Sequence, residues 1–590
     1  MSKSECASRF TISIVDVSDS NSLNNSPITG QSIGGLLAVF KSAIQLNYGS
    51  DWALRLLLPF ASEFNSNLLD SIAASAIEVD LIGFEADLIE KVSLPLGKQV
   101  IYPNHLGSGL LNKQTMRLSV HSLAQHFSDL MVFVGPSTET SSADLDSLNK
   151  SLATGKLILV IDASGLIWLF SPEAISANDR AMLERFPKSW GELSRFAQVL
   201  ETHEVVNQTL QICLGTTERS SDSFDVSAPR VAKWVGRLDG FLMSLYGGLG
   251  WSEIKKSLLK NPFKDYFGVS VHDLPSQHKE RHPIKEPDRL GKIFSTFDIA
   301  ANYYSGCYRD TNWLLYSLSA FAVFTAVAGG ISLGGENRSW LWALAECASI
   351  FGIVSLVWLA RVKRFHQNWL TNRFCAEVIR YARVGLPFLL VPYGLKQIIN
   401  FSSNRDDAIP ELARVHRLLI DTGLPHPAKG KVYAPLNHFD ELVQYATHIL
   451  DDQMAFHKKT AHRNHHLAHR MHQISYYCFF LTVLAIAGHF VVHTDMWLIF
   501  TAALPALAGA IHGLVTQNEY ERVAQISAMA YEKLLATQLI IQDSRTWDGL
   551  DPSGRFVKLQ LFMGEAVEVM SGSARSWQEI IQARATTLPA

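Results

Sequence analysis

The chain has 590 residues, 18% of them charged, a formal net charge of −3 and a mean hydropathy of +0.09. That length exceeds one hydrophobic core and predicts three to four domains, and the sparse charge fits a chain that lies partly in lipid. The near-neutral balance excludes a global basic field for nucleic acid, and six scattered cysteines without a CxxC pair argue against a disulfide framework or zinc site.

Residues 1–175 read as an α/β domain of Rossmann type. TISIVDV, DLMVFVG and KLILVIDA are short β-branched runs with helical patterns such as SIGGLLAVFKSAIQL between them, and such alternation implies a parallel sheet. The N-terminal MSKSECASRF lacks the apolar core of a signal peptide, so internal segments must drive insertion. Residues 176–288 read as mixed and end in SQHKERHPIKEPDR, a polar linker or exposed loop. From Leu290 the spacing of Ile293, Phe294, Phe297, Ala301 and Tyr304 predicts an amphipathic helix that runs into a first membrane span.

Four spans are expected, at 313–333, 340–360, 476–492 and 496–515, each near the roughly 20 apolar residues that cross a bilayer. The connections GGENRS and HTD are short, which predicts two hairpins. Trp313, Trp340, Trp342, Trp358, Tyr476, Tyr477 and Trp497 cluster near the span ends as an interfacial belt. Arg361, Lys363, Arg364, Arg373, Arg380 and Arg383 follow the second span, and Lys458, Lys459, Arg463 and Arg470 precede the third. The positive-inside rule then places both termini and the central region in the cytosol. Residues 289–385 hold the first hairpin with its cytosolic helices, 386–444 a proline-interrupted insert, and 445–590 the second hairpin with C-terminal cytosolic helices. Burial of the same hairpins inside a large soluble protein is the competing reading, and the aromatic ends and asymmetric flanks weigh against it.

An α/β domain followed by FDIAANYYSGCYRDTNWLLYSLSAFAV and FHQNWLTNRFCAEVIRYAR resembles bacterial proteins in which a SLOG-like nucleotide-sensor domain precedes a SLATT-type two-helix membrane module. LPALAGAIHGLVTQNEYERVAQISAMA is similar to the later membrane pair of longer members. The resemblance implies a bacterial inner-membrane effector that senses a nucleotide-like second messenger, in antiviral defence or stress signalling. It places Glu63, Phe64 and Asn65 where the family has Gly-Ala-Asp, matches Ser128 and Asp129 to the family's Ser-Asp, and includes the Arg373…Glu377…Arg380 pattern. SSADLDSLNK replaces the family's glycine-rich phosphate loop, whose glycines let backbone N–H groups approach an anion.

The candidate ligand residues are Asp16, Gly30, Glu63, Asn65, Ser128, Asp129 and Asp162. Asp16 and Asp162 end candidate strands, where a Rossmann-like site would lie. No serine elbow, HExxH or Walker loop is present, so no catalytic residue, metal ligand or cofactor is assigned, a nucleotide ligand aside. Glu346 reads either as a pore-lining carboxylate or as one that reaches water at the outer interface. Gly509, Gly513 and His512 join it as membrane candidates. The small residues Ala322, Ala326 and Gly330, and Ala502, Ala506 and Ala510, allow close helix packing within one chain or between chains. Arg373, Glu377 and Arg380 form either an exposed salt-bridge ladder or a buried polar clamp between stalks. HKKTAHRNHHLAHRMH reads as a polar juxtamembrane helix rather than a metal site. A pore-forming homo-oligomer is the leading expectation; a non-conducting scaffold that recruits a protein, or a nucleotide-processing enzyme, are the alternatives.

Overall fold

The structure is a computed structural model. It describes residues 8–16, 27–48, 52–59, 66–84, 96–102, 120–136, 145–171, 175–214, 288–331, 339–390, 415–420, 432–492 and 494–582, with isolated positions inside some stretches excepted.

The N-terminal part is a mixed sheet. Its seven full strands are β1 (Ser8–Asp16), β2 (Trp52–Pro59), β3 (Glu78–Phe84), β4 (Leu96–Tyr102), β5 (Leu130–Val134), β6 (Ile158–Ile161) and β7 (Ile167–Phe170). Two-residue strands β8 (Gln198–Val199) and β9 (Val432–Tyr433) extend its edges, giving the order β8-β7-β6-β5-β1-β2-β3-β4-β9. Pairing is parallel from β6 through β9 and antiparallel from β6 to β8. Strand order switches at β1, which has β2 on one side and β5 on the other, as in doubly wound sheets that bind ligands beyond their carboxyl ends. The sheet runs past residue 175 to β8, and β9 comes from within the 386–444 insert.

Alternation assigns the two faces. Phe10, Ile12, Ile14, Leu54, Leu56 and Leu58 are buried beneath α1 (Pro27–Tyr48), α2 (Ser66–Ala74) and a later helix; α3 (Asp146–Ala153) and α4 (Trp190–Leu193) cover Met131, Phe133, Ile158 and Val160 on the opposite face. That later helix, α5 (Thr202–Leu214), brings Val205, Val206 and Leu210. Thr11, Ser13, Arg55, Leu57, Asp80 and Ile82 point the other way, and Leu57 and Ile82 join a core made largely by the C-terminal helices.

Those helices are α6 (Asp288–Gly330), α7 (Ser339–Val362), α8 (Phe365–Gly385), α9 (Phe439–Val491), α10 (Met496–Gln517), α11 (Tyr520–Gln542) and α12 (Pro552–Gln582). Four stretches, carried by α6, α7, α9 and α10, are long and apolar enough to cross a membrane. At 1.5 Å per residue α6 and α9 reach roughly 65 and 80 Å, between two and three times the roughly 30 Å thickness of the hydrocarbon core. Each therefore continues well beyond its apolar segment. α7 lies antiparallel to α6: a Cβ on Gly329 would stand 3.2 Å from Trp342 Cβ, and one on Gly352 3.2 Å from Leu318 Cδ1. α10 lies antiparallel to α9, with Gly488 against the Trp497 ring and Ser475 Oγ donating to the Ala508 carbonyl at 3.2 Å. A single left-handed residue, Arg364 (φ 48°) or Glu519 (φ 56°), then kinks the returning chain, and α8 and α11 continue in the same direction along the amino-terminal halves of α6 and α9. Only 17–28% of the residues in the most apolar stretches are buried inside the chain, so they present broad bare apolar faces, compatible with a membrane-spanning role.

Candidate functional site

The N-terminal candidates are divided between the two ends of the sheet. Asp16 closes β1 and Gly30 lies in the first turns of α1, both at the carboxyl edge; the Asp16 side chain, Glu63 and Asn65 lie outside the described residues. Asp162 ends β6, separated from Asp16 by β5 and so by two strand spacings, roughly 10 Å. Its carboxylate closes the β6–β7 turn: Oδ1 accepts from Ser164 N (2.9 Å), Ser164 Oγ (2.6 Å) and Leu166 N (3.0 Å), and Oδ2 from Trp168 Nε1 (2.8 Å). Four donors on one carboxylate are a structural turn, and they occupy the lone pairs a ligand would use.

Ser128 and Asp129 stand at the opposite, amino end of β5. Asp129 Oδ2 accepts from Thr11 N at 2.7 Å while Asp129 N donates to Thr11 O at 2.7 Å, which sets the β5–β1 register. Ser128 is fully buried, and its carbonyl and that of Gln125 both accept from the Lys156 ammonium. Burial pushes Lys156 down to about 8, although Asp129 and Cys213 nearby favour its charged form. Lys156 opens KLILVIDA, and a lysine at the mouth of an all-apolar strand is the signal that marks it.

Arg55 is the second polar group the strand pattern conceals. It is 1% exposed within WALRLLLP; Nη2 donates to Thr11 Oγ1 (2.9 Å) and to the Ile420 carbonyl (2.6 Å), and Nε lies 3.8 Å from Asp80 Oδ2. The guanidinium therefore ties β1, β2 and β3 to the 415–420 segment, which packs into the helical core beside Phe388 and Tyr433.

The stalk residues converge on a buried clamp. Glu377 on α8 is 4% exposed and takes Arg373 Nη2 at 2.6 Å and Arg380 Nη1 at 3.0 Å. Asp298 on α6 takes Arg373 Nη1 at 3.1 Å and lies 3.7 Å from Arg380 Nη2. Two guanidiniums thus face two carboxylates across α6 and α8, which compensates the cost of burying each charge. Arg380 and Arg383 each lie 5.3 Å from the Phe294 ring centroid, Tyr381 Oη donates to the Met570 carbonyl of α12 at 2.8 Å, and His457 of α9 is buried beside Glu377. Four helices meet at this point. Asp298 escapes a sequence reading of the clamp, although an acid within the apolar stripe FSTFDIAA is its trace.

The membrane candidates do not gather into one site. Glu346 is half-buried two turns into α7, with no hydrogen-bond or ion-pair partner among the described residues. Gly513 is packed: a Cβ there would stand 2.5 Å from the Tyr316 ring, whereas one on Gly509 would meet nothing within 4 Å. His512 is exposed, its ring 5.7 Å from that of His472, which pairs with Glu521 at 3.1 Å. Ala326 and Gly330 are exposed and Ala322 is half-buried, so among the described residues that stripe of α6 is not a close packing face. The α9 histidines stack on one another, His462 on His466 at 4.2 Å and His465 on His469 at 6.2 Å, and among the described residues no group of three side chains could hold a metal ion.

Fold and clamp together define a doubly wound α/β sheet packed on the stalks of four long apolar helices. Compared with family models, with curated proteins and with solved structures, the chain matches none of them.

Proposed function

We propose that this is a multi-pass protein of the bacterial inner membrane whose α/β domain senses a ligand or partner and whose apolar helices act on the bilayer. In this reading α6–α7 and α9–α10 cross as two hairpins, with both termini and the central region in the cytosol. The observation that carries it is continuity. α6 and α9 are each one unbroken helix from the buried clamp at Asp298 and His457 through an apolar segment whose outer face is bare, with Phe490 76% exposed. A stalk that is also a span transmits a displacement at one end to the other without a hinge.

The resemblance to SLOG-like sensors joined to SLATT-type membrane modules supports the same division of labour. A nucleotide-like second messenger or a protein bound beyond the carboxyl ends of β1 and β5 would move the sheet against the stalks, through Arg55 and the clamp. Homo-oligomers of the spans would then open a pore or disrupt the membrane, with antiviral defence as the setting the resemblance suggests. Glu346, without a partner among the described residues, is the carboxylate such a pore would use, because an ionisable group in hydrocarbon requires water or a counter-group. Expression in cells loaded with a potential-sensitive dye is expected to depolarise them, and Glu346→Leu or Gly509→Leu to abolish the effect. Depolarisation unchanged in both variants overturns the pore.

One observation favours a second reading. The polar atoms of Asp162 and Asp129 are committed within the sheet, which suits a domain that docks a protein better than one that binds a nucleotide. A non-conducting scaffold would leave the membrane potential intact and retain its partner in a pull-down from solubilised membranes.

A further inference from the structure

The helical region is built twice. In each half a long helix (α6, α9) is followed by a returning apolar helix (α7, α10), one left-handed residue (Arg364, Glu519), and a helix that continues the return along the first (α8, α11). Individual residues correspond as well. Leu318, Thr325 and Ala328 on α6 recur, with the same spacing, as Ser475, Thr482 and Ala485 on α9. Thr325 and Thr482 are both buried and both donate to the carbonyl four residues back. Leu318 meets Gly352 as Ser475 meets Ala508, and each pair ends in a glycine against a tryptophan, Gly329 with Trp342 and Gly488 with Trp497, although these are out of step with that spacing by two positions on the long helix and one on the returning helix.

Among the described residues the halves meet at the clamp, where His457 of α9 lies beside Glu377 of α8, and again higher up, where α10 of the second packs against α6 of the first. Gln517 Nε2 donates to Tyr308 Oη at 3.1 Å, Asn312 Nδ2 to Asn518 Oδ1 at 2.9 Å, Tyr316 lies over Gly513, and Trp313 packs with Leu514. Two equivalent halves can make this contact twice, each returning helix wedging against the other half's long helix. It is made once: α7 packs on α6, and no comparable packing joins it to α9 among the described residues. The uncovered faces are identifiable by correspondence. Counted from Gly352 and Ala508, Trp358 occupies the place of Leu514, yet Trp358 is 65% exposed and Leu514 2%. Phe351, Val354, Trp358 and Val362 form one bare stripe on α7. Counted from Thr325 and Thr482, the places of Tyr308, Asn312 and Tyr316 fall to His465, His469 and Gln473 on α9, all exposed.

We propose that a second copy of this chain covers these faces, the α7 stripe around Trp358 packing on α9 of the partner copy around His469 and Gln473. The contact repeats between chains the α10–α6 contact made within one. It joins unlike faces, so each copy offers both halves, and a closed ring satisfies every one. Trp358 supplies an apolar body with an N–H donor, and the facing stripe supplies imidazole and amide acceptors. On α10 the places of Phe351 and Val354 fall to Leu507, itself exposed, and to half-buried Ala510, so acyl chains cover that end of the stripe and the protein contact centres on Trp358. The inference rests on the reading that the two helix pairs cross a membrane.

The test is photo-cross-linking of the full chain in native membranes, with p-benzoylphenylalanine replacing Trp358 in one sample and Gln473 in another. Each is expected to give an adduct at twice the 65.6 kDa chain mass, mapping by mass spectrometry to α9 of the partner from position 358 and to α7 from position 473. Trp358→Ala, which removes the central anchor, is expected to lower the yield from position 473 roughly tenfold. Adducts to lipid alone, or to any other surface of the chain, overturn the interface. Cross-links between α7 and α9 in cells of unchanged membrane potential uphold the interface and sink the pore, whereas depolarisation without them does the reverse.

Discussion

Two glycines four residues apart on α10 show how much a single contact decides. A methyl group at Gly513 would collide with Tyr316, which is held between α6 and α10, while one at Gly509 enters open space. Gly513→Ala is therefore expected to destabilise the chain by about 1–3 kcal/mol and Gly509→Ala to leave it unchanged, compared by thermal unfolding in detergent. Equal effects would mean that α10 does not press on α6. Lys156 gives a residue-scale prediction of the opposite kind. Its pKa falls from 10.5 to about 8 in the folded chain. Between those values the unfolded chain binds more protons than the folded one, so the lysine's contribution to stability rises with pH across that window. Lys156→Met should flatten this part of the stability–pH curve, measured by denaturant unfolding from pH 7 to 10.5; an unaltered slope would show that the ammonium is not desolvated.

At the scale of elements, the joints between helices are polar and the faces are apolar. The clamp holds α6 to α8 with two guanidiniums against two carboxylates, and Tyr381 extends it to α12. Glu377→Gln keeps the shape and removes the charge that both arginines share. It is expected to cost about 1–3 kcal/mol, discounted for the partial exposure of Arg373 and Arg380, and to expose the 365–385 helix to protease in solubilised protein. Asp298→Asn should act in the same direction and more weakly, since its geometry to Arg380 is looser. Protease resistance retained in both variants would make the clamp incidental to stalk packing. The left-handed residues Arg364 and Glu519 belong to this scale too: one residue at positive φ kinks a returning helix without a loop, and the chain continues in the same direction along its partner.

Over the whole molecule, the sheet and the membrane-type helices share a core, so the α/β part is not a bead on a linker. Leu57 and Ile82 pack with Phe297, Phe388, Leu418 and Phe556, and Arg55 fastens the 415–420 segment to β1 and β3. Removing that guanidinium strands Asp80 and the Ile420 carbonyl in the interior. Arg55→Leu is expected to cost about 3–5 kcal/mol and to release the 415–420 segment, read as new cleavage there in limited proteolysis. A cleavage pattern identical to the parent chain would show that the two parts are held by apolar packing alone.

The amino-acid sequence by itself determines the local pattern. β-branched runs such as ILVI and LMVFV make strands, and near-charge-free stretches of some twenty residues make long apolar helices, because hydropathy and backbone preference act over neighbouring residues. Arg373, Glu377 and Arg380 are legible as one helical face for the same reason. Only the tertiary structure decides what crosses between distant segments: that Asp298 completes the clamp, that residues 432–433 extend the sheet, that Asp162 closes a turn, and that Arg55 points into the helical core. Those outcomes depend on pairing between residues tens to hundreds of positions apart, and no local period in the sequence encodes which buried charge will meet which.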